Sequence, residues 1–114
     1  MSIAHLDYET TSESDIMSVG GYRYSVDPST RILMFAIAED DGDPVLWTFD
    51  DPYSEESMLA ETMLERVISE GHLLYCHNYA FELAISHHRL RTDVGTSATP
   101  RHENYRCIPQ CKGR

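Results

Sequence analysis

The stretch Arg31-Ile32-Leu33-Met34-Phe35-Ala36-Ile37-Ala38-Glu39-Asp40-Asp41-Gly42-Asp43-Pro44-Val45-Leu46-Trp47-Thr48-Phe49 reads as two apolar runs broken by a short acidic turn that contains glycine. Aliphatic and aromatic residues fill both runs, and an Asp-Gly turn between such runs is a hairpin signal. The pattern predicts a strand over 31–39 and another over 44–49, paired as a hairpin. Working back from it, Asp27-Pro28-Ser29-Thr30 is a turn, Gly20-Gly21 is punctuation, and residues 10–15 are polar loop. Before them, Ser2 to Tyr8 reads as a buried strand carrying Ile3, Ala4 and Leu6.

Working forward, Ser54 is a plausible N-cap, and Glu55 and Glu56 lie in the first turn, where the helix dipole favours negative charge. Met58, Leu59, Met63, Leu64, Val67 and Ile68 recur at helical spacing up to Gly71, which ends the helix. His72 to Cys76 is a short fourth strand. Asn78 to about Leu90 is a second helix with Phe81, Ala84 and Ile85 on its inner face. From Arg91 the periodicity dissolves into loop formers: Gly95, Thr96, Ser97, Thr99 and Pro100. The order β-β-β-α-β-α predicts an α/β fold, a mixed sheet with helices packed on it. Residues 1–92 form the folded part, and 93–114 an irregular tail.

The 114 residues suit one domain, which buries about 65% of its unfolded surface. No run approaches the ~20 apolar residues of a membrane helix. The N-terminus lacks a basic region followed by a long apolar stretch, so the expected location is the cytoplasm and no membrane partner is expected. A net charge of −10 argues against a module that grips duplex DNA by neutralising phosphates. It leaves room for an enzyme whose carboxylates gather metal ions. Cys76, Cys107 and Cys111 are too few and too irregular for a disulfide framework. Cys76, inside an apolar run, reads as a small core residue.

Two groups of residues carry chemistry. Asp7 and Glu9 are two apart on the first strand, near its end, and point to the same face. Like charges that close are costly unless a cation shares them, although acidic pairs at strand ends are commonly solvated surface. Asn78 and Glu82 are four apart at the start of a helix that follows a strand directly, at an edge that often hosts chemistry. Read blandly, Asn78 is an N-cap and Glu82 a surface residue.

Taken together these segments resemble a known family. Asp7-Tyr8-Glu9-Thr10 looks like the Asp-x-Glu-Thr motif of the DEDD 3′–5′ exonucleases, and Asn78-Tyr79-Ala80-Phe81-Glu82 like their Asn-x-x-(Phe/Tyr)-Asp motif with Glu for Asp. Gly20-Gly21-Tyr22-Arg23-Tyr24, Pro28-Ser29-Thr30, Leu46-Trp47 and His77-Asn78 fall in the order seen in proofreading domains of phage family A DNA polymerases. The resemblance runs from about Ile3 to Cys107. It implies a ribonuclease H-like fold of three strands, a helix, a strand, a helix, a fifth strand and a last helix. It also implies two Mg²⁺ or Mn²⁺ ions roughly 4 Å apart, supplying a hydroxide and stabilising a leaving 3′ oxygen. A single-stranded DNA 3′ end is then shortened one nucleotide at a time. By resemblance, Asp7 bridges both metals, Glu9 binds the nucleophile-side metal and Glu82 lies nearer the other. Thr10 and Asn78 position the substrate.

The family's third motif, Tyr-x-x-x-Asp or His-x-x-x-x-Asp, is not matched. Tyr105 is followed four residues later by Pro109, and His102 five residues later by Cys107. The expectation is a truncated domain, lacking the last strand and helix, as in a split polymerase. The fourth strand would then present an unpaired edge that recruits a second copy or a second polymerase fragment. The alternative function is an inactive, exonuclease-like interaction module. A zinc site from His102, Cys107 and Cys111, with His87-His88 upstream, is a weaker pattern. Trp47, Tyr22 and Tyr24 read as core packing. His87 and His88 read as exposed, and the acidic face from Glu55 to Glu70 as solvated.

Overall fold

Alternation governs the first strand, β1 (Ile3–Thr11): Ala4, Leu6 and Tyr8 are buried, while His5, Asp7 and Glu9 are exposed. The computed structural model describes residues 3–76, 79–96 and 101–107. The hairpin is present as β2 (Arg31–Glu39) and β3 (Val45–Thr48). The helix from 55 onward is α2 (Glu55–Ser69). Ser54 accepts a hydrogen bond from Ser57 N at 3.1 Å, and Gly71, at φ +73°, turns the chain into β4 (Leu73–Cys76). Helix α3 (Tyr79–Arg89) follows and runs into a π-helical turn, Leu90–Val94.

The five-stranded sheet has the order β3-β2-β1-β4-β5, with β5 at Tyr105–Cys107. Strand β1 pairs antiparallel with β2 and parallel with β4, and β4 pairs parallel with β5. The fold is therefore α/β with a mixed sheet, as the sequence predicts. Two elements correct that expectation. The fifth strand is present, inside the stretch read as irregular. Three residues with one core side chain, Tyr105, give too short a pattern to detect among loop formers. Its pairing also covers the edge of β4 that was expected to lie open. No helix follows β5 among the described residues.

The second correction is a helix, α1 (Ile16–Val26), in the stretch read as loop and punctuation. It consists of two short helices joined at Gly20, whose φ of 84° and ψ of 167° break the helical path. Asp15 caps it, accepting from Met17 N at 3.1 Å. It escapes detection because it has no apolar stripe: Met17 and Tyr22 are exposed, and Tyr24 and Ser25 are buried. The turn after it is locked by Asp27, whose carboxylate accepts from Ser14 and Ser29 and is thereby held down at about 2.

One core joins the helices to one face of the sheet. Phe35 stacks on Trp47 with ring centres 5.7 Å apart, beside Leu6, Ile37, Leu64, Val67, Leu74, Ile85 and Tyr105. Cys76 and Trp47 are buried as expected. The segment after α3 is tied to the hairpin by Asp93, which accepts from Ile32 N at 2.9 Å and from Arg89 Nη2 at 3.0 Å. Asp93→Ala leaves an Ile32 N–H and a largely buried guanidinium without their acceptor. It is expected to lower stability by about 2 kcal/mol, read as a reduced urea midpoint at unchanged slope. Among the described residues no helix is long and apolar enough to cross a membrane.

Candidate active site on the central strand

The chain leaves β1 toward β2 on one side, and leaves β4 toward β5 on the other. Adjacent strands whose onward connections diverge leave a crevice at their carboxyl ends, the usual place for a ligand in open α/β sheets. Between β1 and β4 the ladder runs only from Ile3↔Leu73 to His5↔Tyr75. Beyond it, β1 continues for six residues, and Asp7 and Glu9 lie in that extension rather than at its end.

Asp7 and Glu9 share the sheet face opposite the core, with His5. A shallow cleft there is lined by His5, Asp7, Ala36, Ala38, Pro44 and Tyr75, with the His5 and Tyr75 rings 5.9 Å apart. The register between β1 and β2 slips after Glu9: Glu9 pairs with Met34 and Thr10 with Ile32, so Leu33 is the extra residue. Such a bulge re-aims side chains and commonly sits beside active sites.

Glu82 is not the surface residue of the bland reading. It is 2% exposed and reaches β1 from the core side, where its Oε1 accepts from Tyr8 N at 3.3 Å. It thus takes over a backbone donor between the two acidic residues, past the point where β4 has ended. One turn later, Ser86 receives the Tyr8 hydroxyl region at 2.8 Å and the Tyr105 hydroxyl at 2.5 Å. Burial, reinforced by the neighbouring Tyr105 charge, pushes the Tyr8 phenol well above its ordinary value, and burial likewise raises Tyr105. Both stay neutral hydrogen-bonding groups. Ser86 was not singled out from sequence, although its spacing of four from Glu82 places the two on one helix face.

Thr10 is bonded through Oγ1 to Tyr24 OH at 2.8 Å, which anchors α1 to the strand that bears the carboxylates. Tyr24 is buried as expected, but Tyr22 is 67% exposed. Asn78, His77 and Cys111 lie outside the described residues. The structure thus brings Asp7 and Glu9 onto one face and Glu82 behind them. Among the described residues no group of three or more His, Cys, Asp or Glu side chains is gathered closely enough to hold a metal ion. The pair alone suits a hard cation that keeps most of its water, since Mg²⁺ is often held by one or two carboxylates. No family model, no curated protein and no solved structure matches the chain.

Proposed function

We propose that the chain is the front part of a ribonuclease H-like, DEDD-type 3′–5′ exonuclease domain, of the kind that proofreads in phage family A DNA polymerases. The observation that carries the reading is the pair Asp7 and Glu9, exposed side by side where β1 runs on past the end of β4. The element order supports it: with α1 set aside, strands and helices follow as β-β-β-α-β-α-β, the order implied by the resemblance up to the last helix.

In this reading Asp7 and Glu9 hold Mg²⁺ or Mn²⁺. When bound, such ions make a water acidic enough to attack and stabilise the leaving 3′ oxygen of the strand. Asp7 and Glu9 supply the hard oxygen donors, and the bulge after Glu9 sets their aim. By resemblance Glu82 stands on the leaving-group side. Its bond to Tyr8 N gives it a positioning role, holding the backbone between the two donors. A second reading, an inactive interaction module, draws support from that same commitment of Glu82 to the core.

The test uses the full chain with Mn²⁺ or Mg²⁺ and single-stranded DNA labelled at its 5′ end. The expected product is a ladder shortened from the 3′ end one nucleotide at a time and stopped by EDTA. Intact substrate supports the module instead. Internal cuts, or release from the 5′ end, contradict the exonuclease.

A further inference from the structure

Helices α1 and α3 enclose a cleft of about 490 Å³ that none of the roles above uses. The volume falls within the range of small-molecule sites. Gly21, Ala80 and Ala84 keep its lining low, and three rings, those of Tyr22, His87 and His88, border it. Tyr22 meets His88 edge-on, with ring centres 5.1 Å apart and planes at 87°. Its remaining surface is open, as its exposure of 67% shows. No Lys or Arg lines the cleft, so it has no built-in attraction for a phosphate.

The hydrogen bonds around His88 define what the cleft offers. Ser25 Oγ donates its only hydrogen to Tyr22 O at 2.7 Å. It lies 2.8 Å from His88 Nδ1, so the imidazole must donate there. In the neutral ring the lone pair is then on Nε2. An aromatic face, small neighbours and a fixed acceptor suit a flat, neutral ring bearing N–H groups. An aliphatic ligand uses neither the ring face nor the acceptor.

We propose that this cleft binds the base of a nucleotide within a single strand. The identity of the strand rests on the nuclease reading above; the chemistry of the ring does not. The link to the carboxylates is short: Tyr24, two residues beyond Tyr22, is bonded to Thr10, the residue after Glu9.

The experiment follows the Tyr22 and His88 ring resonances of the full chain in EDTA, where no hydrolysis occurs. The probes are thymidine 5′-monophosphate, the tetranucleotide of thymidine, and 2-deoxyribose 5-phosphate, which lacks a base. Both base-bearing probes are expected to shift the two rings, the tetranucleotide at lower concentration, and the sugar phosphate is not. Gly21→Leu plugs the cleft from a position where an added Cβ meets nothing within 4 Å. It is expected to weaken binding roughly tenfold, as loss of a stacked base does. If that variant does not fold, Tyr22→Ala at an exposed site is expected to show the same loss.

Equal shifts with the sugar phosphate overturn the proposal, as do unchanged rings with every probe. Shifts with the mononucleotide but not the tetranucleotide overturn the assignment to a strand. The two readings fail separately. Shifts without any metal-dependent cleavage remove the nuclease and keep the base site, whereas cleavage without shifts does the reverse.

Discussion

Asp7→Ala is expected to abolish metal-dependent shortening of single-stranded DNA while leaving the fold intact. Asp7 is exposed on the face of β1 away from the core, so its removal opens no cavity. It also relieves repulsion from Glu9 on the same face. Stability without metal should stay within about 0.5 kcal/mol of the parent chain. Activity should fall by roughly a hundredfold or more, the scale attached to removing one group that organises a reacting centre. Thermal unfolding adds a readout independent of cleavage. A metal that binds only the folded chain stabilises it by about 2.7 kcal/mol at a hundredfold excess over its Kd, and Asp7→Ala should lose most of that gain. Full cleavage by the variant, or an undiminished response to Mn²⁺, would count against the site.

The second large effect concerns Glu82. Glu82→Ala removes a buried side chain and strands the Tyr8 N–H, at a cost of about 3 kcal/mol. Glu82→Gln keeps an acceptor of the same reach and is expected to recover most of that stability. The two variants also separate the roles open to this residue. A positioning residue acts through the bond to Tyr8 N, so Gln should hold cleavage within roughly tenfold of the parent. A residue whose charge is needed at the metal should fail as Gln while remaining folded. Denaturant midpoints and cleavage rates for the two variants, measured side by side, decide between them.

Much of the architecture was legible because its signals are local. The hairpin announces itself through the apolar runs flanking Asp41-Gly42, and α2 through Ser54, its glutamates and a regular stripe ending at Gly71. What escaped notice depends on partners far along the chain. Strand β5 is three residues long and is defined by its pairing with β4, and α1 lacks a buried stripe because only Tyr24 and Ser25 turn inward. Within the site, strand alternation was enough to place Asp7 and Glu9 on one face. The burial of Glu82 was not legible, since a glutamate in a helical first turn usually faces water. Its helix happens to lie across the strand extension that β4 leaves bare.

That incomplete ladder also bears on the order in which the chain can fold. Strand β1 is the first of the five in sequence and the middle one in space. Its antiparallel partner comes from the hairpin, a local unit that forms early. Its parallel partner is separated from it by α1, the hairpin and α2, and distant pairings of that kind are slow. Only when α3 has docked does Glu82 meet Tyr8, and only when β5 has joined does Tyr105 reach Ser86. The acidic strand is therefore among the first segments to be held and among the last to be set, so that its final shape reports the arrival of the whole right-hand half of the sheet.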